Sequence, residues 1–115
     1  MVSDCIFCKI IREEIKSTIV AQNDYVIAIQ DISPKAPYHY LIMPKKHITS
    51  LATLSNDEQV YVTAVMLMAR DLAQNVPHKA FNLIANNGKE CGQSVFHLHF
   101  HFLAGKDLYQ GGLKL

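Results

Sequence analysis

The sequence predicts one α+β domain, a five-stranded antiparallel sheet with two helices, in the order helix, three strands, helix, two strands. Three observations support this prediction: five short apolar runs suit strands, one long stretch has helical apolar spacing, and most links are short. Short links favour an antiparallel meander with the helices on one side. The chain of 115 residues fits a single domain, 1–115, and has no room for a second.

Composition describes an ordinary globular chain. Hydrophobic residues make up 50% and charged residues 18%, and the formal net charge is +1. No basic surface for nucleic acid is therefore expected. No apolar stretch approaches the roughly 20 residues of a membrane span, and the N-terminus does not resemble a secretory signal. We expect a cytoplasmic protein without nucleic-acid or membrane partners.

The N-terminal part predicts a helix followed by a hairpin. Ser3-Asp4 can cap a short helix to about Glu14, because apolar residues recur there at helical spacing. Two extended runs, 18–22 and 25–31, are separated by Asn23-Asp24, which is typical of a tight turn. The first antiparallel pair is therefore expected to be local.

A proline-containing loop leads into the third predicted strand. Pro34 and Pro37 lack a backbone donor, so 33–37 is expected to be a shaped loop. The run from His39 to Pro44 follows as a strand, with His39 at its start.

The second helix is predicted from Ser55 to the residues before Pro77. Ser55 and Glu58 have the spacing of a capping box, and Pro77 ends the helix. The methionines are interpreted as gap-filling core residues. The predicted buried stripe comprises Val60, Ala64, Leu67, Met68 and Leu72. Two more strands, 81–85 and 95–103, follow on either side of a loop at 86–94.

The last predicted strand carries three histidines that alternate with apolar residues. Successive side chains of a strand point to opposite faces, so His97, His99 and His101 are expected in one row above an apolar core. An unperturbed imidazole titrates at roughly pH 6.5, so each can be a nucleophile, proton carrier or metal ligand. The alternative is a histidine-rich solvated face or a fortuitous chelating patch.

The cysteines argue against a secreted disulfide framework. There are three, an odd number, and Cys5 and Cys8 are too close for a useful structural staple. Their two-residue spacing lets two thiolates share one tetrahedral zinc, which leaves two ligands to find. Reduced thiols and a metal site both remain open, and Cys91 is interpreted as incidental.

Several spaced motifs together resemble the histidine triad nucleotide-binding family, in its nucleoside phosphoramidase branch. They are Asp31 to His39, Pro44 to Ile48, Asn86, Gly92 to Ser94 and the histidine row. The resemblance covers residues 4–105, with a divergent tail at 106–115. It implies a homodimer whose two sheets join edge to edge, with each nucleotide site near the interface. It also implies hydrolysis of a P–N bond at the α-phosphorus of a purine nucleotide.

The resemblance implies roles for four histidines. His99 attacks phosphorus and forms a transient nucleotidyl-histidine that water then releases. His101 stabilises phosphate charge or passes protons, while His39 and His97 support the histidine network.

The resemblance also implies the nucleotide-binding residues. Asp31 accepts both ribose hydroxyls, one on each carboxylate oxygen, and Asn86 lies near ribose and phosphate. Gln93 and the backbone amide of Ser94, after Gly92, cradle phosphate oxygens, and the Ser94 hydroxyl assists the leaving amine. The residues that wall the base pocket are Ile6, Phe7, Ile10, Ile29 and Ile32.

In some family members two histidines complete the cysteine pair, and here these are His47 and His97. Zinc at Cys5, Cys8, His47 and His97 would clamp the first helix to the histidine strand and leave His99 free. The alternative is a pair of reduced thiols, with His97 a hydrogen-bonding member of the network.

Three other functions remain open at this point. A dinucleoside polyphosphate hydrolase would use the same nucleotide, although Gly92-Gln93-Ser94 and the third histidine fit the phosphoramidases better. A nucleotide-sensing or scaffold protein would bind with little turnover. A nucleotidyltransferase needs a second substrate site, for which this chain has little room.

Overall fold

The computed structural model describes residues 4–112 and has the five antiparallel strands and two helices that the sequence predicts. The helices are α1 (Ile6–Ile11) and α2 (Gln59–Ala73). The strands are β1 (Ile19–Gln22), β2 (Val26–Gln30), β3 (Tyr38–Pro44), β4 (Phe81–Ile84) and β5 (Phe100–Ala104). Within these described residues, no helix is both long and apolar enough to cross a membrane. The predicted fold class is confirmed.

The strand order is β1-β2-β3-β5-β4, which corrects the predicted meander. The chain leaves β3, crosses over through α2 to the edge strand β4, and returns as β5 between them. Both β3 and β4 pair with β5 in antiparallel register, with Leu41 and Ile84 both opposite His101. The meander prediction failed because the link through α2 is long enough to skip one strand position.

The two helices cover opposite faces of the sheet, whereas the prediction placed both on one side. α2 packs on a cluster that includes Val26, Ile42 and Phe102. α1 packs through Phe7 and Ile10 on the other face, formed by the alternate residues of β2 and β3. Period-two alternation in β2 and β3 supplies an apolar side chain to each face, and this lets a helix dock on both.

β5 begins at Phe100, not at Val95 as predicted. The segment before it bonds to the chain after β3 instead of extending the ladder: the Leu98 amide donates to the Ile48 carbonyl at 2.6 Å. The alternation of side chains nevertheless continues through it, since Leu98 lies in the α2-side core while His97 and His99 face α1.

α1 is shorter than predicted and has a different cap. Cys5 is the N-cap, and its Sγ accepts the Cys8 amide at 3.4 Å; Ser3, half of the predicted cap, lies outside the described residues. The helix ends at Ile11, and Glu13 adopts a left-handed φ of 64°, which a helix cannot continue.

The buried stripe of α2 is rotated from the predicted one. Ala64, Met68 and Leu72 are buried as predicted. Val60 and Leu67 are exposed by 41% and 46%, and Met66 is exposed rather than gap-filling. Val65 and Ala69 take the buried positions, in the cluster between α2 and the sheet. The capping interaction is present, with the Glu58 carboxylate accepting the Ser55 amide at 2.9 Å.

Candidate active site

β3 and β5 bring His39 and His101 side by side on the α1 face of the sheet. His39 Nε2 lies 2.9 Å from His101 Nδ1. Asp31, directly after β2, places its Oδ2 3.4 Å from His39 Nε2. A short contact between two imidazoles can mean either a hydrogen bond or a shared metal ion. Two nitrogen ligands of one tetrahedral zinc would lie about 3.4 Å apart. The 2.9 Å contact is shorter than that, so it is a hydrogen bond. These three residues form one polar group at the ends of the strands.

His99 is buried and held by the backbone of the residue two positions before it. Its Nδ1 lies 2.7 Å from the His97 carbonyl oxygen, which can only accept, so Nδ1 carries the proton. Nε2 of a neutral His99 is therefore an unprotonated nitrogen with a free lone pair. The Phe7 ring packs edge-on against the imidazole at 5.0 Å, and the His101 ring lies 5.3 Å away. The ring is thus fixed in orientation with one nitrogen able to act as a nucleophile.

The local electrostatics favour neutral imidazoles. Burial lowers the pKa of His101 to about 4, with the neighbouring His99 and His39 adding to the effect and Asp31 opposing it. Burial likewise lowers the pKa of His39. Near neutral pH both rings are uncharged, and they can form a directional hydrogen bond without repulsion.

Four residues from three segments could hold a metal ion: Cys5 and Cys8 of the first turn of α1, His47 after β3, and His97 before β5. Their donor atoms all lie within 4.8 Å of one another. His97 Nδ1 lies 3.5 Å from each sulfur, and His47 Nδ1 lies 3.3 Å from Cys8 Sγ. Tetrahedral zinc, with bonds of about 2.3 Å to sulfur and about 2.0 Å to nitrogen, separates such ligands by about 3.5 Å. The donor set and its spacing fit zinc.

His97 is oriented for this cluster by a backbone acceptor. Its Nε2 donates to the Pro44 carbonyl at 2.8 Å, so Nδ1, which faces the cysteines, carries the lone pair. Burial raises the pKa of the Cys8 thiol to about 11, with the Cys5 sulfur contributing. A metal dication is the partner that stabilises two adjacent thiolates in such a place.

The loop before the histidines is built around the buried side chain of Gln93. Its Oε1 accepts the Gly88 amide at 2.8 Å. Its Nε2 donates to the carbonyls of Thr49 and Val95, at 2.7 and 3.0 Å. An amide has two N–H donors, and both are used here. This arrangement favours Gln93 as a support for the loop and leaves phosphate contacts to backbone amides.

The other loop residues of the predicted site lie close to Gln93. Gly92 adopts φ +93°, and a β-carbon there would stand 3.9 Å from Asn86 Cγ, so the two residues are neighbours. Ser94 is exposed, while Asn86 is partly buried. Asn87 joins the loop to another segment by accepting the Leu51 amide at 2.7 Å.

The predicted base-pocket residues divide into two groups. Phe7, Ile10 and Ile29 are buried in the cluster on the α1 face. Ile6 is 47% exposed and Ile32, next to Asp31, is 97% exposed. A fully exposed isoleucine beside a carboxylate is not part of the core, and it is available to a ligand.

The sequence does not identify the backbone groups that set the imidazole orientations. These are the Lys35 amide, the Pro44 carbonyl and the His97 carbonyl. Every residue has such groups, so no residue type signals them. The one available signal is for the Lys35 amide, because the predicted loop that contains it lies directly before His39.

The comparison with a family model decides which family this site belongs to. The family model for the HIT domain matches residues 12–108. The chain belongs to the HIT family. It is 38% identical over 110 residues to the purine nucleoside phosphoramidase of Escherichia coli strain K12, covering 94% of this chain and 92% of that protein. The resemblance drawn from the sequence motifs is confirmed.

Solved structures of HIT proteins share the fold. A HIT family hydrolase from Clostridium thermocellum is 39% identical with a TM-score of 0.91, covering 100% of this chain and 99% of that one. A histidine triad protein from Clostridium difficile is 43% identical with a TM-score of 0.86, covering 91% and 93%. The chain is thus a nucleotide-related HIT hydrolase in the broad sense that these relatives support.

Proposed function

We propose that this HIT protein binds a purine nucleotide and hydrolyses the P–N bond at the α-phosphate of nucleoside phosphoramidates, including adenylylated amines. The observation that carries the proposal is the fixed His99 ring, whose Nδ1–H is held by the His97 carbonyl and whose Nε2 is left as a nucleophile. The E. coli relative bears the name of this activity.

Nucleotide binding is assigned to the surface around Asp31. Ile32 is exposed beside this carboxylate, and an apolar residue next to a two-oxygen acceptor suits a base and a ribose diol. Ile6, which is exposed, and the buried Phe7, Ile10 and Ile29 behind it complete the apolar wall. Asn86, Gly92, Gln93 and Ser94 form the phosphate side, with Gln93 supporting the loop.

The first chemical step transfers the nucleotidyl group to His99. Nε2 attacks the α-phosphorus, the P–N bond breaks, and the electron pair leaves with the amine nitrogen, which takes a proton from solvent near exposed Ser94. The His97 carbonyl stabilises the positive charge that develops on the ring. His101 donates a hydrogen bond to a phosphate oxygen.

The second step releases the product. Water attacks phosphorus, the bond to His99 Nε2 breaks, and the electron pair returns to the imidazole while the proton of the water goes to solvent. A nucleoside monophosphate is formed and His99 returns to its neutral state. One water is consumed per P–N bond, and no cofactor is used up.

Ser94 lines an open cavity, and we propose that the leaving amine departs on this side. This surface cavity of about 430 Å³ opens between the start of α1 and the 94–96 segment, and it is lined by Ile6 and Ser94 together with Cys5 and His47 of the metal cluster.

We further propose that Cys5, Cys8, His47 and His97 hold a structural zinc. When bound, the zinc ties α1 to the segment that carries His99, and supplies no step of the hydrolysis. Metal analysis of untagged protein should give about one equivalent of zinc per chain. Less than half an equivalent after refolding with zinc would overturn this assignment.

A homodimer and a cytoplasmic location remain predictions. In an edge-to-edge dimer the joining strands must be β1 or β4, because these are the two edges of the sheet. Each carries an exposed apolar residue, Ile19 at 43% and Phe81 at 37%.

A steady-state comparison tests the proposed substrate class. Adenosine phosphoramidate and a diadenosine polyphosphate are offered separately, and monophosphate release is measured for wild type and His99→Ala. We expect the phosphoramidate to have the higher kcat/KM, with activity lost in His99→Ala. A preference for the polyphosphate would move the assignment to that class of hydrolase. Tight monophosphate binding without turnover would indicate a sensor.

A further inference from the structure

The loop between β2 and β3 contacts the histidine pair through its backbone. The Lys35 amide N–H donates to His39 Nδ1 at 3.0 Å. An amide nitrogen can only donate, so His39 Nδ1 must be the acceptor. His39 is only 5% exposed, so little water can reach this bond. A neutral His39 therefore carries its proton on Nε2.

The proton on His39 Nε2 determines which nitrogen of His101 is protonated. The His39 Nε2–H faces His101 Nδ1 at 2.9 Å, so His101 Nδ1 must accept. The proton of a neutral His101 is then on Nε2. We propose that the main-chain amide of Lys35, acting through His39, fixes His101 as an Nε2–H hydrogen-bond donor to the substrate phosphate. The hydrogen bond from His101 to the phosphate rests on the proposed function, whereas the tautomer of His101 does not depend on it.

Asp31 is the competing acceptor for the His39 proton. Its Oδ2 lies 3.4 Å from His39 Nε2, which is longer than the distance to His101. Its Oδ1 is engaged by the Ser33 amide at 2.7 Å. The His39 proton therefore lies toward His101, and the carboxylate contributes charge rather than the main hydrogen bond.

The loop is held in place from the far end of β5. Gly105 has φ +86°, and a β-carbon there would lie 3.1 Å from Pro37 Cβ. The Lys106 ammonium lies 3.4 Å from the Lys35 carbonyl oxygen. The close approach at Gly105 needs both the missing side chain and the left-handed backbone. The Lys35 amide is thus positioned by the residues that follow the histidine strand.

Two substitutions at Lys35 separate the amide from the ammonium. Lys35→Pro removes the N–H, and Lys35→Ala keeps it while removing the charge. We expect ¹⁵N NMR of labelled histidines to show one Nε2–H tautomer for His39 and His101 in wild type and in Lys35→Ala, and a mixture in Lys35→Pro. A mixture in wild type, or unchanged tautomers in Lys35→Pro, would overturn the proposal.

Two glycine substitutions give an independent test that does not need proline. Gly105→Ala places a methyl group against Pro37. Gly112→Ala has the same kind of backbone strain at φ +111°, but among the described residues, its own neighbours aside, no heavy atom lies within 4 Å of the new methyl group. We expect only Gly105→Ala to disturb the His39 and His101 tautomers. Equal spectra for the two variants would contradict the role assigned to the loop.

Kinetics separate this proposal from the proposed function. Lys35→Pro should lower kcat for the phosphoramidate by roughly tenfold or more, the scale for loss of a group that orients a histidine, with little change in KM. A tautomer change without any kinetic effect would contradict the phosphate role of His101. If wild type hydrolyses no phosphoramidate, the proposed function fails, and the NMR result still decides the tautomer assignment.

Discussion

Gln93 contributes to the site through three side-chain hydrogen bonds, two within or next to the loop and one to the distant Thr49 carbonyl. Gln93→Met keeps the side-chain length and removes all three. We expect the free energy of unfolding to fall by about 1–3 kcal/mol, because buried backbone groups lose their partners. Urea denaturation measures this, with the exposed neighbour Ser94→Ala as the matched control. Unchanged stability with a raised KM would instead make Gln93 a direct phosphate ligand.

His101 makes stability depend on pH. Its pKa is lowered to about 4 by burial, whereas an unfolded histidine titrates near about 6.5. Between these two pH values the unfolded chain binds more protons than the folded protein does. The contribution of His101 to the free energy of unfolding is therefore complete above about pH 6.5 and is lost as the pH falls towards 4. At about 1.4 kcal/mol per pKa unit, the lowered pKa corresponds to an upper limit of roughly 3.5 kcal/mol in the free energy of unfolding. Urea denaturation at several pH values should show that the free energy of unfolding falls less on acidification in His101→Gln than in wild type. An equal fall in the two proteins would contradict His101 as the origin of the effect.

The identity of the histidines was predictable from the sequence, and their hydrogen-bond directions were not. Alternation with Leu98 and Phe100 placed the imidazoles on one face, and this holds although β5 starts only at Phe100. The directions depend on the Lys35 amide and the Pro44 carbonyl. Side-chain type carries no signal for such backbone contacts.

The proposed zinc site would add a second attachment of α1 to the rest of the molecule, beside the packing of Phe7 and Ile10 on the sheet. A chelator should lower the thermal midpoint of the zinc-loaded protein by roughly 5 °C or more, because bound metal stabilises the folded state. Cys5→Ser should lose this response, and Cys91→Ser, whose thiol is exposed and outside the cluster, should keep it. Scanning calorimetry with and without chelator measures the effect. An equal response in all three proteins would contradict the cluster as its source.

The helices and strands were predictable in number and kind, while their arrangement was less so. Runs in which apolar residues alternate identified the strands, but this periodicity does not determine the order of the strands in the sheet. The long connection through α2 allowed β5 to insert next to β3. The buried stripe of α2 includes small residues such as Ala69, and a prediction that ranks positions by hydrophobicity places the larger but exposed Leu67 above them.

Dimerisation is the expectation at the scale of the whole molecule. Light scattering after size-exclusion chromatography should give twice the mass of the chain. A charged residue at one of the two exposed edge positions, Ile19→Asp on β1 or Phe81→Asp on β4, should then dissociate the dimer. The other substitution serves as its control. A monomeric wild type, or a dimer that tolerates both changes, would contradict edge-to-edge joining.

The central claim is covalent catalysis through His99, and intact-mass measurement after rapid mixing with adenosine phosphoramidate tests it most directly. The account predicts a transient gain of one adenylyl group that decays as monophosphate appears. It predicts that His99→Ala shows neither adduct nor turnover while still binding nucleotide. Monophosphate release by His99→Ala at the wild-type rate, without an adduct in either protein, would contradict it.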